Sequence, residues 1–503
     1  MARTRLLVAT AVLLAAGAQL GVAQLSPAAA GGATGTAPVF PPGIQLTADF
    51  PYGLTQAEPS IRVDDNGQLY VIAPGSTPIG CELWTLPPGG RSFTFHTPPD
   101  LGVGGGDCDL ALTPPPAGST TPGLAYSSLS LPNITVGASS DGAATFSTPN
   151  PLGSDIPMTD RQWNAADGNT VYMSYHLVIS NTIGVARSTD GGRTYTYAGN
   201  AVDAQHIPQT LYNNELGPIV VDTHSTASPK PLYTVFVAPS TLNANLASAA
   251  GTTSSTANGV YLAMSLDGGV TWKDTDVYVG APDVSLDRIF PALAIDEGGG
   301  IWVAWSDLSH VYVTHSLTRP KTGGRDATTV PPGTTALGAG SLDPVLDAAL
   351  LEAPGATVTW SAPQVVDSGP ARANIYPWLA GGGSHRADLV WYGGTGSSIA
   401  DPTNQWTPRL AQLTVNNNGS LGSVQTIVSD HVIHTGEICT TGVTCPGTSR
   451  VLLDFFQVAV SPDGRAAIAW ADDSVSAGVA QVYATEQCAG LSILTSKKLV
   501  STC

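Results

Sequence analysis

Apolar runs of four to eight residues, broken by Asp/Gly turns, recur along the chain in one fixed order. Each unit opens on a polar residue, passes a Pro or aromatic residue, and then carries an apolar run, an Asp/Gly turn and a second apolar run. The copies occupy 58–72, 160–175, 215–237, 287–305, 374–391 and 454–470, and 108–126 is a weaker seventh copy broken by a Pro-rich insert. Runs of this length bounded by turn residues predict β-hairpins. Only 342–351, inside a Gly/Pro/Thr-rich insertion between 316 and 357, has an amphipathic helical pattern.

A second phrase follows several of these hairpins. In Ser265-Leu266-Asp267-Gly268-Gly269-Val270-Thr271-Trp272 the Asp carboxylate is placed to accept N–H groups of its own turn, and the Gly pair supplies positive φ. Ser265 and Thr271 can bond back to the turn, and Trp272 offers a ring to pack between sheets. The phrase recurs at 188–195 with Tyr195 and at 139–146 with Phe146 in the aromatic place, and 86–93 keeps the Gly pair and Phe93 but has no Asp. These residues resemble the Asp-box repeat of sialidases and related secreted β-propellers. The resemblance implies that the boxes lie on the outer rim, away from the ligand face.

One inner hairpin plus the strands around a box makes four strands per repeat, and four-stranded repeats closing radially make an all-β propeller. Seven blades are expected, or six if the 108–126 copy is a decorated strand. Residues 57–503 form the propeller in this reading. An open ring would expose two sheet edges, so a strand from 43–50, within the 31–56 segment, or from the tail after Gly490 is expected to close it.

Composition agrees with many short strands: 56 Gly, 39 Pro and only 12% charged residues. The first 30 residues read as a secretory leader, with Arg3 and Arg5 ahead of an Ala/Leu-rich run. Its removal makes the formal charge of −18 more negative by two. Such an acidic chain repels phosphate backbones, which argues against nucleic acid as a partner. No segment has the roughly 18 apolar residues of a membrane-spanning helix, and a secreted monomer is expected. Six cysteines in an exported chain read as disulfides. Of the fifteen pairings, spacing favours Cys439 with Cys445 and Cys488 with Cys503, leaving Cys81 with Cys108.

Propellers meet ligands at the loops leading into the innermost strands. This chain, sparing with charge, places Glu58, Asp107 or Asp109, Asp160-Arg161, Glu215, Asp287-Arg288, Arg372 and Asp454 there. Asp-Arg pairs at such points can simply tie blades together. Alternatively, Arg161, Arg288 and Arg372 converge as a clamp for a carboxylate. The sialidase resemblance implies the latter, and Arg288-Ile289-Phe290-Pro291 looks like the family's Arg-Ile-Pro with one residue inserted, although it stands after several boxes and not ahead of them. Catalytic roles fall to Asp160 and Asp287 as acid/base candidates, and to Tyr376, or Tyr212 beside Glu215, as nucleophile with a Glu partner. Glycoside hydrolysis needs such paired groups at a set separation.

His431, His434 and Glu437 are metal-capable but lie in a stapled loop, so neither metal nor cofactor is expected. Two functions remain open: an exported glycoside hydrolase, of sialidase type or acting on another glycan such as xyloglucan, or a non-catalytic propeller binding glycan or protein.

Overall fold

In the computed structural model, the described residues are 31–32, 36–46, 56–75, 80–97, 100, 105–130, 133–151, 158–211, 213–241, 256–318, 358–445 and 449–503. The leader, the 342–351 pattern and Tyr212 fall outside them.

Seven sheets surround a central channel, all antiparallel except where Gly31–Gly32 adds in parallel to Leu421–Ile427, and each predicted hairpin supplies the two inner strands of one blade. The innermost strands are Ser60–Val63, Cys108–Thr113, Thr159–Asp167, Glu215–Val221, Ala292–Ile295, Asn374–Gly381 and Gln457–Val460. The weak 108–126 copy is a blade of its own, its three strands extended by the Val136–Asn150 bridge. Among the described residues the only helices are Ile207–Thr210 and a 3-10 turn, Gly442–Thr444.

The ring closes through the chain start. Ile44–Gln45 pairs with Gln481–Glu486, so the last blade takes its outermost strand from the N-terminal segment. A β-carbon on Gly43 would overlap the buried Trp470 ring, which this strand crosses. The alternative donor, the tail after Gly490, instead packs over the last blade and is held by Cys488–Cys503. Cys81–Cys108 joins the first two blades and Cys439–Cys445 staples a loop. All three are the pairs that spacing favours.

The Asp-Gly-Gly turns behave as their chemistry predicts. Asp267 accepts the Thr271 amide at 2.9 Å, the Val270 amide at 3.1 Å and the Thr271 hydroxyl at 2.6 Å. Asp190 and Asp141 repeat the pattern with Thr194 and Thr145. Both glycines of the 188–195 turn have positive φ, and a β-carbon on Gly192 would overlap Ala125 of the preceding blade. Where the 139–146 copy has Ala143 at the second position, that residue is still held at φ 76°. Local turn and blade-to-blade contact therefore specify the same residue type. Tyr195 and Trp272 are buried as anchors, and Phe146 is half-buried.

Candidate functional site

The innermost strands begin irregularly, and that irregularity builds the site. Register breaks fall at Asp160/Gln162, Leu216/Ile219 and Ile375/Trp378, in three different blades. Such bulges re-aim side chains near a strand start. Left-handed backbone appears beside them at Glu58 (φ 53°), Arg161 (28°), Tyr376 (57°) and Leu453 (53°). Non-glycine residues held there cost free energy and gather at functional positions.

A cavity of about 620 Å³ opens at this mouth, lined by Glu215, Asp283, Ser285, Asp287, Arg288 and Asp454 among others. Phe290 forms part of its floor. Beneath it an aromatic cluster plugs the pore: the Trp163 ring lies 4.8 Å from Trp378, 4.9 Å from Phe455 and 5.6 Å from Phe290. On the far side of that plug an apolar channel of about 390 Å³ touches all seven blades and contains the Arg62–Asp109 ion pair at 3.0 Å.

Behind the cavity wall lies a charged network. Arg161 is buried, with its guanidinium 3.9 Å from the Trp163 ring centre and 4.3 Å from that of Phe455. It pairs with Glu58 at 3.4 Å and Asp107 at 3.5 Å, so three blades meet at one cation. Glu58 also accepts the backbone N–H of Asp454 at 3.1 Å, and Arg450 is ion-paired to the Asp454 carboxylate. At the cavity itself, Asn213 and Ser285 both donate to Asp287.

Burial and crowding push the acids at this mouth upward. Burial, then the charges of Asp454, Asp160 and Asp287, holds the Glu215 carboxyl well above the usual range. Glu58 is raised in the same way by burial, then Asp107 and Asp454. In Asp454 burial outweighs the opposing pull of Arg450, and Asp160 is raised by burial and then by Asp107. The cavity thus carries one carboxyl group raised by burial and neighbouring acids, Glu215, and a second acid, Asp287, that accepts from two donors.

The expected site residues divide into three groups. Glu215, Asp287 and Arg288 line the cavity, and Arg288 is exposed on its wall. Arg161 and Tyr376 lie behind it: Tyr376 is buried, with its hydroxyl unpartnered and its pKa pushed up by burial and then by Asp454. Asp160 stands beside Arg161, accepting its backbone N–H at 2.9 Å. Arg372 lies elsewhere, donating to the carbonyls of Ala371 (2.9 Å) and Gly369 (3.4 Å) in its own loop. The three arginines therefore do not meet at one point: Arg161 turns to Glu58 and Asp107, and Arg372 to carbonyls of its own loop. Asp454 was visible as a strand opener, whereas Arg450 was missed; its one signal is its position four residues before Asp454.

The imidazoles considered as metal ligands go to separate carboxylates, His431 to Asp472 and His434 to Asp473, each at 2.8 Å. Asp203, His206 and Asp274 bring their ligand atoms within 4.8 Å of one another on the rim. There His206 Nδ1 lies 2.9 Å from Asp203 and 3.4 Å from Asp274, while the two aspartates accept each other's backbone N–H. This is an ion-pair clasp between the third and fourth blades.

No family model matches the chain, and no curated protein matches it. Solved structures of similar shape include a protein of unknown function from Dyadobacter fermentans DSM 18053, at 12% identity over 90% of this chain and 99% of that one, TM-score 0.44. The GH93 α-L-arabinofuranosidase of Fusarium graminearum, solved with arabinobiose, is 11% identical over 89% of this chain and 97% of that one, TM-score 0.41. A GH74 enzyme of Niastella koreensis is 15% identical over 87% of this chain and 52% of that one, TM-score 0.42. These likenesses concern overall shape and carry no chemistry across.

Proposed function

We propose that this chain is an exported propeller that takes a glycan into its mouth cavity and hydrolyses a glycosidic bond there. Glu215 is the general acid in this reading, and Asp287 is the second carboxylate. Arg288 orients the sugar from the wall, while Asp160, Arg161 and Tyr376 support the lining from behind. The observation that carries the proposal is Glu215 itself: a carboxyl raised by burial and by three neighbouring acids, yet lining an open cavity. The rim carboxylates Asp141, Asp190 and Asp267 are tied into their own turns, and this one is not.

The same geometry favours an uncharged sugar over a sialoside. A carboxylate clamp needs several unpaired guanidinium groups, and of the three expected arginines only Arg288 faces the cavity. Three disulfides, and the absence of any helix among the described residues long and apolar enough to cross a membrane, are compatible with export.

The test is a panel of fluorogenic pyranosides, furanosides and a sialoside offered to the purified protein. Release from at least one uncharged glycoside is expected. Binding without release by every member would leave a non-catalytic glycan-binding propeller, and preference for the sialoside would restore the clamp.

A further inference from the structure

The rim clasp of Asp203, His206 and Asp274 leaves one strong acceptor without a donor. Asp274 lies on the outermost strand of the fourth blade, Lys273–Val279, and its side chain is fully buried. Its Oδ2 accepts the backbone N–H of Asp203 at 2.9 Å and faces His206 Nδ1 at 3.4 Å, whereas Oδ1 of the same carboxyl group has no hydrogen-bond partner. A buried carboxyl oxygen left bare is costly unless something satisfies it.

The imidazole is unusual as well. Among the described residues, His206 is the one histidine at which two carboxylates share a single ring nitrogen. His310 and His434 meet one carboxylate each, and His431 turns a different nitrogen to each of its two. A proton on His206 can neutralise one of its two carboxylates; a divalent cation would neutralise both.

The spacing suits a small cation. Ligand atoms around a tetrahedral zinc, about 2.0–2.1 Å from the metal, stand roughly 3.3 Å apart. His206 Nδ1 is 2.9 Å from Asp203 Oδ1 and 3.4 Å from Asp274 Oδ2. Backbone donors hold the carboxylates in place: Asp203 Oδ1 also accepts the Gln205 and His206 amides at 2.8 and 3.1 Å, and Asp203 Oδ2 accepts the Asp274 amide at 3.1 Å. Outer hydrogen bonds of this kind orient metal ligands. Calcium takes about six to eight oxygens, more than this set offers, while an imidazole among the ligands suits zinc.

We propose that Asp203, His206 Nδ1 and Asp274 bind a zinc ion, with water in the fourth position, and that this ion locks the third blade to the fourth. In metal-free protein a proton on His206 takes the ion's place. From His206 the chain runs through the helix Ile207–Thr210 to Asn213, which donates to Asp287, so the lock anchors one end of the segment that enters the mouth.

Calorimetric titration of zinc chloride into the full chain, stripped with EDTA and desalted, tests the proposal. One zinc per chain should bind, and saturation should raise the melting temperature by several degrees, because an ion held only by the folded state stabilises it. Asp274→Asn should weaken binding by about tenfold or more, since even an outer partner of a metal ligand carries that much, and should abolish the rise. Cobalt gives a readout that stability alone does not move: the visible bands of tetrahedral cobalt should appear in the unsubstituted protein and be absent in His206→Asn, a change of similar size that keeps a donor toward Asp203.

Zinc binding unchanged in both variants would place the ion elsewhere, as at His431 or His434, and overturn the proposal. No binding at millimolar zinc would overturn it too. Calcium bound by the unsubstituted protein and lost in Asp274→Asn, with zinc ignored, would assign the clasp to a hard cation and overturn the zinc assignment.

Discussion

Acidic side chains on the rim and at the mouth belong to the same repeats of one chain, yet their environments are opposite. On the rim, Asp267 keeps its carboxylate at the surface; burial is the largest single influence and pulls upward, but the hydroxyl and amide of Thr271, with Ser265 and the Val270 amide, together hold it below the usual range. Asp190 and Asp141 behave alike. At the mouth, half-buried Glu215 and buried Glu58 stand among other acids and are held above that range. A carboxylate satisfied within five residues of its own chain is a structural part. One that is costly where it stands, in a cavity, is the place to look for chemistry.

The contrast can be broken most sharply by removing one acid from each region. Glu215→Gln should lower glycoside turnover by about 100-fold or more, the usual weight of a general acid, with little change in melting temperature. Asp267→Ala should leave turnover per folded molecule untouched and cost about 1 kcal/mol of stability, near the low end for a lost turn acceptor because the orphaned amides face water. Denaturant unfolding and turnover measured on both variants separate the two roles.

These rim turns were also the most legible part of the sequence, for the same physical reason. Every partner of Asp267 lies between Ser265 and Thr271, so the pattern is complete in eight residues. The hairpins were legible because an apolar run needs its turn nearby, and the seventh blade was marked by 108–126 despite its insert. Mouth chemistry was half legible. Strand-opening charges stood out in a chain with few, and Glu215, Asp287 and Arg288 do line one cavity. Which charges saturate one another was not, since Arg161 meets Glu58 across 103 residues and Asp454 meets it across 396. The left-handed backbone at Glu58, Tyr376 and Leu453 was equally hidden, because none of the three is a glycine to announce it.

Buried acids that do not line the cavity sharpen the comparison further. Burial pushes the Asp388 carboxyl up to about 7, and Glu82, beside Gln56, also to about 7. A raised carboxyl binds its proton more tightly folded than unfolded, so it costs nothing at pH 4 or below and penalises the fold increasingly as pH climbs to 7. Asp388→Asn and Glu82→Gln should therefore each raise stability at pH 8, on the order of 1 kcal/mol, and give no gain at pH 4. Thermal melts at the two pH values check this, and a gain at both would mean that the acids are not protonated by burial.

The smallest effect is expected at the rim clasp. Hydrogen bonding to Asp274, against burial and with help from Asp203, raises His206 to about 9. A raised histidine contributes fully below its unfolded value of about 6.5 and loses that contribution as pH rises through 9. His206→Asn should lower the melting temperature by a few degrees at pH 6, and the gap should close above pH 9.

The most direct test of the account is the proton on Glu215. In protein labelled with ¹³C at glutamate side-chain carboxyls, the resonance that disappears in Glu215→Gln should titrate well above the ordinary glutamate value of about 4.5, and a glycoside that binds should shift it. A Glu215 that titrates at the ordinary value and does not respond to any bound glycoside would contradict the account.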